Sequence, residues 1–121
     1  MATVLIVDDE YFIREVAVSM VEEWGHVVLA ADGVEDAMVH LRSNAIIDAL
    51  ITDIHLNTAR LGGFELAHQA RNLRPSLPVL YVSGLSLTEA TAELLVVNGQ
   101  FLMKPYSPDQ FQNAVLSLLA A

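Results

Sequence analysis

The chain has 121 residues and a formal net charge of −9, from 15 acidic and six basic side chains. Hydrophobic residues make up 54% of it, which is too apolar for a disordered chain, yet no apolar run approaches the ~18 residues of a membrane-spanning helix. The negative charge disfavours direct binding to nucleic acid or to an anionic membrane, and the absence of cysteine excludes disulfides and zinc ribbons. We expect a single soluble domain over residues 1–121, located in the cytoplasm.

The first half of the chain alternates apolar runs with stretches of helical spacing. Residues Thr3–Val7 are apolar and rich in β-branched side chains without polar alternation, which predicts a strand covered on both faces. A helix follows, with Gly25 placed to end it and one apolar face formed by Ile13, Ala17, Met20 and Trp24. The alternation continues with a strand at Val27–Ala31, a helix at about Val34–Arg42 and a strand at Ile46–Ile51.

The second half begins with an irregular segment, Ile54–Gly62, that exceeds the usual connection length. A helix with Leu66, Ala70 and Leu73 on one face follows it. The remaining predicted elements are a strand at Pro78–Val82, a helix at Leu87–Val97, a strand at Gln100–Met103 and a helix at Pro108–Leu119. This strict alternation of strand and helix predicts an α/β fold, in which helices cover both faces of a parallel sheet.

Four of the five predicted strands lead into polar groups at their carboxyl ends, where open parallel sheets bind ligands. These groups are Asp8-Asp9-Glu10, Asp53, Ser83-Gly84 and Lys104-Pro105. Each has an ordinary structural interpretation, since aspartates cap helices or form Asx turns and a lysine beside a proline is often solvated. Their joint placement on one sheet edge indicates a site instead.

Three carboxylates on one edge repel one another unless a cation neutralises them. Mg²⁺ suits this edge, because it binds through one or two carboxylates, water and a phosphate oxygen. A phosphoryl group would then contact the metal, the Lys104 ammonium and the Ser83 hydroxyl, which together neutralise the charge on its three oxygens. Asp53 is left as the nucleophile that forms an acyl phosphate.

Four segments of the chain resemble the receiver domain of two-component response regulators. They are Val4–Glu10, the strand that ends in Asp53, Val82-Ser83-Gly84 and Phe101–Tyr106, and the resemblance covers essentially the whole chain. The resemblance implies a flavodoxin-like, doubly wound five-stranded parallel sheet with strand order 2-1-3-4-5 and five helices.

The resemblance also implies a role for each matching residue. Asp53 corresponds to the phosphoacceptor and also to a metal ligand, Asp9 to a direct Mg²⁺ ligand, and Asp8 to an acid that holds the metal through water. His55 would contribute its backbone carbonyl to the metal. Lys104 would form a salt bridge with the acceptor or the phosphoryl group and precede a cis peptide bond to Pro105.

A further pair of residues corresponds to the family's switch. Phosphorylation would draw Ser83 inward and open space for the ring of Phe101, so that the fourth helix, fifth strand and fifth helix present a changed face. Phe101 is equally consistent with a buried strand aromatic. The fourth helix carries Glu89 and Glu93 and no basic residue, which argues against the salt-bridged dimer of many relatives.

The implied partners are a histidine kinase or histidine phosphotransfer protein as phosphoryl donor, and an unidentified downstream protein. Tyr11 and Phe12 would either dock the donor or belong to the core. Two departures from the family pattern concern the long loop, which is about two residues longer than usual and carries Asn57 where a proline is common. Arg60 in this loop would contact the phosphoryl group or remain solvated.

Two other functions remain open. One is a receiver-like interaction module that is never phosphorylated, although the joint presence of the acidic residues, the hydroxyl and the lysine argues against it. The other is a phosphohydrolase that passes through an aspartyl phosphate. Haloacid-dehalogenase-type hydrolases place an aspartate two residues after the nucleophile, whereas this chain has His55. We therefore expect a protein that catalyses only its own phosphorylation and dephosphorylation.

Overall fold

Strands and helices alternate along the chain in the computed structural model, which describes residues 1–56 and 62–120. The strands are β1 Thr3–Val7, β2 Val27–Ala31, β3 Ala49–Asp53, β4 Val79–Ser83 and β5 Gln100–Met103. The helices are α1 Tyr11–Glu23, α2 Val34–Arg42, α3 Gly62–Leu73, α4 Glu89–Ala92 and α5 Pro108–Leu119. None of the helices in the described part of the chain has the length and apolar character needed to cross a membrane.

The strands form one sheet in the order β2-β1-β3-β4-β5, and every neighbouring pair is parallel. This confirms the predicted order. Alternate residues of β1 face opposite sides of the sheet: Leu5 and Val7 pack with residues of α2 and α3, while Val4 and Ile6 pack with residues of α1 and α5. The two cores explain why the strand sequences are continuously apolar rather than alternating.

The third and fourth strands lie further along the chain than their apolar runs predict. β3 begins at Ala49 rather than Ile46, and the Ile46 side chain is 74% exposed, so its assignment to a buried strand is wrong. At their other ends both strands extend into polar residues, since Asp53 pairs with Val82 and Ser83 with Met103. The sheet's hydrogen bonding therefore includes the two polar residues that hydrophobicity alone leaves outside it.

The helical faces follow the predicted spacing at their centres and depart from it at their ends. In α1, Ala17 is buried, but Ile13 is exposed and Trp24 lies just beyond the helix. Gly25 adopts a φ of 94° after the helix, as expected of a residue that ends it. In α3, Leu73 is 47% exposed because it occupies the last turn.

The fourth helix is much shorter than its sequence predicts. It spans Glu89–Ala92 instead of Leu87–Val97. A capping box between Thr88 and Thr91 fixes its start. From Leu94 onward the backbone hydrogen bonds are those of turns, so the apolar spacing continues without the helix.

Candidate functional site

The polar residues predicted at the sheet edge are held there by backbone hydrogen bonds. Asp53 is the last residue of β3 and Ser83 the last of β4, while Asp8 directly follows β1 and Lys104 directly follows β5. The Lys104 N–H donates to the Ser83 carbonyl at 2.8 Å, and the Asp8 N–H donates to the Ala31 carbonyl at 3.2 Å. These bonds continue the strand pairing past the ends of the strands and so fix the backbone positions of Asp8 and Lys104.

Three aspartates form a compact acidic cluster at this edge. One carboxylate oxygen from each of Asp8, Asp9 and Asp53 lies within 4.8 Å of the others. Asp8 and Asp53 are only 6% and 8% exposed. Backbone N–H groups donate hydrogen bonds to two of these carboxylates. The Glu10 N–H donates to Asp8 Oδ1 at 2.9 Å, and the His55 N–H donates to Asp53 Oδ1 at 3.3 Å.

Lys104 reaches into the same cluster. Its Nζ lies 3.0 Å from Asp53 Oδ2 and 3.3 Å from Asp8 Oδ2. Burial alone would lower the pKa of Lys104, but the hydrogen bond and charge of Asp53, together with the charge of Asp8, raise it above the usual value. The ammonium therefore stays charged between the two carboxylates.

Burial also acts on Asp8. It raises the pKa of Asp8, while the Glu10 N–H and the Lys104 charge oppose part of that shift. Removing the carboxylates from water is unfavourable unless more positive charge approaches them. The three aspartates with the single ammonium carry a formal charge of −2.

The donor set fits a hard divalent cation. It consists of carboxylate oxygens only, grouped within 4.8 Å, and together with the Lys104 ammonium it has a formal charge of −2, which Mg²⁺ would balance. The sequence analysis assigned the same three aspartates to the metal. The role of the His55 carbonyl stays a prediction, because the contact seen for this residue is made by its N–H. Asn57 and Arg60 lie outside the described residues.

Ser83 and Phe101 share a cavity beside the acidic cluster. The cavity has a volume of about 400 Å³ and is bounded mainly by apolar side chains, among them Phe64 and Leu94. Ser83 is 1% exposed, and its Oγ accepts a hydrogen bond from the Leu85 N–H at 3.1 Å. Phe101 is half-buried against the core. Its roles as a switch and as a plain core aromatic both stay predictions.

Gly63 is a positioning residue that the sequence analysis did not single out. A Cβ atom at this residue would lie 2.2 Å from the Asp53 carbonyl oxygen and 2.6 Å from the Ile54 Cα. The Gly63 N–H also donates to the Ile54 carbonyl at 2.8 Å. Only glycine allows α3 to approach the end of β3 this closely. The available signal was the Gly62-Gly63 pair at the start of α3, because glycine allows a close backbone approach that other residues prevent.

Arg14 is a second residue that the sequence analysis missed. Its Nη1 donates to the Asp8 carbonyl at 2.8 Å, and its guanidinium lies 5.5 Å from the centre of the Tyr11 ring. Tyr11 and Phe12 are 60% and 80% exposed and form a T-shaped pair, so the alternative that places them in the core is wrong. The peptide bond between Lys104 and Pro105 is cis, as expected.

Comparison with known proteins assigns this arrangement to a family. The family model for the response regulator receiver domain matches residues 4–116. A receiver protein from Sinorhizobium medicae has a solved structure with a TM-score of 0.89 and 32% sequence identity, and the match covers 99% of this chain and 95% of that one.

Two curated relatives are longer proteins. The transcriptional regulatory protein CreB of Escherichia coli is 31% identical over 120 residues, which are 97% of this chain and 50% of CreB. The transcriptional regulatory protein ZraR of Salmonella typhimurium is 25% identical over 118 residues, and this chain spans only 26% of its length. The match over residues 4–116, together with the parallel sheet and its five strands, shows that the chain belongs to the receiver domain family of two-component response regulators.

Proposed function

We propose that the chain is a phosphorylation-dependent switch that accepts a phosphoryl group on Asp53. The observation that carries this proposal is the position of Lys104 Nζ, 3.0 Å from Asp53 Oδ2 and 3.3 Å from Asp8 Oδ2, with Asp9 in the same cluster. Receiver domains signal by phosphorylation, and in this cluster one ammonium lies between two carboxylates, with a third acid beside them.

The proposed reaction joins an Asp53 carboxylate oxygen to phosphorus while the bond between phosphorus and the donor's nitrogen breaks. The transferred group carries charge on three oxygens, so the surroundings act mainly by placement and charge neutralisation. Lys104 neutralises one oxygen, and the Ser83 hydroxyl turns from the Leu85 N–H towards another. Mg²⁺, when held by Asp8, Asp9 and Asp53, supplies the remaining positive charge.

The output follows from the shared cavity of Ser83 and Phe101. Movement of the Ser83 hydroxyl towards the phosphoryl group vacates space that the Phe101 ring enters, because both side chains border the same cavity. The surface formed by α4, β5 and α5 changes as a result. A downstream protein then binds the changed surface. The chain itself catalyses no reaction other than its own phosphorylation and dephosphorylation.

The proposed donor is the phosphorylated histidine of a kinase or phosphotransfer protein. Similarity to the sensor kinase CckA of Brucella abortus, 30% identical over 121 residues that form 12% of that protein, agrees with such a setting. The curated relatives named above are transcriptional regulators, so the absence of direct nucleic-acid contact by this chain stays a prediction.

Intact-mass measurement after incubation with Mg²⁺ and acetyl phosphate tests the proposal. We expect wild-type protein to gain one phosphoryl group, which chelation of the metal prevents. Asp53→Asn should gain none, and circular dichroism should show that this variant is folded. A wild-type protein that remains unmodified would support the interaction module, and rapid multiple turnover of acetyl phosphate would support the hydrolase.

The exposed aromatic pair of α1 leads to a separate prediction about the donor. Phe12 is 80% exposed, so Phe12→Ala should leave the free energy of unfolding within about 0.5 kcal/mol of wild type. Transfer from a phosphorylated histidine partner should slow by about tenfold, since interface aromatics often contribute more than 1 kcal/mol. Labelling by acetyl phosphate should not change, because this small donor makes no contact with α1.

Val39→Ala is the matched control, because Val39 is 67% exposed and lies on α2. Stopped-flow or gel-based transfer assays compare the variants at equal donor concentration. Equal transfer rates for Phe12→Ala, Val39→Ala and wild type would show that Phe12 does not contribute to donor binding.

A further inference from the structure

Tyr81 is a buried titratable residue that the proposed phosphoryl chemistry does not use. It lies in β4, two residues before Ser83, and its side chain is fully buried. Its ring packs against Phe64 with 5.5 Å between the ring centres. Burial raises the pKa of Tyr81, so its hydroxyl stays protonated at neutral pH.

The Tyr81 hydroxyl holds the connection between α4 and β5. It accepts a hydrogen bond from the Val96 N–H at 3.0 Å. A helix that continued past Ala92 would need this same N–H for the Ala92 carbonyl, four residues earlier. That carbonyl instead accepts from the Leu95 N–H at 3.3 Å, in a turn. The tyrosine thus takes the donor on which a longer α4 depends.

Two further contacts hold the connection in place. The Nε2 atom of His68, on α3, lies 2.7 Å from the Leu94 carbonyl. A Cβ atom at Gly99 would lie 2.9 Å from the Tyr81 ring and 3.0 Å from the Val96 carbonyl. The segment from Leu94 to Gly99 is therefore packed directly onto side chains of α3 and β4.

The local sequence favours the longer helix that these contacts prevent. From Thr88 to Val97 it contains no glycine or proline, and alanine, glutamate and leucine, which form helices well, make up the middle of it. Asn98 has a φ of 60°, the conformation of a residue that follows a helix end. Local preference and tertiary contacts therefore disagree over the stretch 93–97, which is the condition for two alternative arrangements.

We propose that the Tyr81 hydroxyl is a latch that sets the length of α4. While it accepts from the Val96 N–H, α4 ends at Ala92; when it is withdrawn, the helix continues to Val97. Tyr81 and Ser83 face the same side of β4, so a movement of Ser83 displaces the latch through the strand that they share. This coupling to Ser83 rests on the proposed phosphorylation of Asp53, whereas the latch itself does not.

The test measures backbone ¹³Cα chemical shifts and amide hydrogen exchange by NMR in Tyr81→Phe, which keeps the ring and removes only the hydroxyl. We expect the shifts of residues 93–97 to move towards helical values. The ratio of long to short α4 should rise about fivefold, as the loss of one hydrogen bond implies. Tyr11→Phe is the matched control, since Tyr11 is 60% exposed and should leave residues 93–97 unchanged.

A second variant disturbs the packing of the Tyr81 ring without removing its hydroxyl. Gly99→Ala places a methyl group against the Tyr81 ring and should move the shifts of residues 93–97 in the same direction as Tyr81→Phe. Unchanged shifts in both variants would overturn the latch, whatever acetyl phosphate does to the wild type. If the wild type takes up no phosphoryl group, the proposed function is contradicted. Helical ¹³Cα shifts of residues 93–97 in unphosphorylated Tyr81→Phe would still support the latch.

Discussion

Replacing Lys104 by methionine should slow labelling by acetyl phosphate by roughly 100- to 1,000-fold, the usual effect of removing one preorganised charge from a transition state. The ammonium now lies within 3.3 Å of both Asp8 and Asp53. Methionine keeps much of the side-chain volume and removes the charge. The rate should be measured by intact mass at saturating Mg²⁺, so that metal binding does not limit it.

The same substitution should also change stability in a metal-dependent way. Without Mg²⁺, Lys104→Met leaves two buried carboxylates unopposed, and we expect a loss of about 2–3 kcal/mol, below the range for fully buried pairs because the lysine side chain is 19% exposed. Because less positive charge then opposes Mg²⁺, added metal should stabilise the variant more than wild type.

Arg42→Met is the control for Lys104→Met, since it removes the same charge at an exposed position on α2. It should change neither the labelling rate nor the response to Mg²⁺. Urea unfolding with and without the metal gives the stabilities. If acetyl phosphate labelled Lys104→Met at the wild-type rate, the proposed role of the lysine would be contradicted.

Gly63→Ala should be more damaging than the same substitution at Gly84 or Gly99. The new methyl would lie 2.2 Å from the Asp53 carbonyl oxygen, so α3 and the end of β3 must separate. We expect a loss of about 2–3 kcal/mol in the free energy of unfolding, as for other overpacked sites. Labelling of the folded fraction should also slow, by up to about 100-fold, since Asp53 moves with its backbone.

Gly84→Ala provides the comparison for Gly63→Ala. A Cβ atom at Gly84 meets no other atom within 4 Å, so this variant should unfold close to wild type. Urea titration yields both free energies. Equal destabilisation by the two variants would show that the contact between α3 and β3 does not explain the loss.

The sheet could be predicted from the sequence because its strands carry continuous apolar runs, and its three central strands β1, β3 and β4 are buried on both faces. Continuous apolar runs identify such strands, and the bounds of β1, β2 and β5 agree with them. Hydrophobicity predicts strand bounds poorly where apolar residues are exposed or polar residues are buried. Ile46 is apolar but exposed, whereas Asp53 and Ser83 are polar but pair within the sheet. Hydrophobicity does not encode which polar residues complete a strand's hydrogen bonds.

The candidate site was predictable where a side chain carries a charge at the end of a strand. Parallel strands bring their carboxyl ends to one edge, which places Asp8, Asp53 and Lys104 together. Gly63 and Tyr81 could not be found in this way. Gly63 matters through an atom that it lacks, and Tyr81 acts on a segment 15 residues away, so both roles depend on tertiary packing.

Lys104 is the only lysine among the 121 residues. Selective ¹⁵N or ¹³C labelling of lysine therefore introduces a single reporter, and it sits between Asp53 and Asp8. Its NMR signals would follow metal titration, donor turnover and inhibitor binding in real time, without assignment of the remaining spectrum. The composition of this chain thus provides a built-in spectroscopic probe of the pocket.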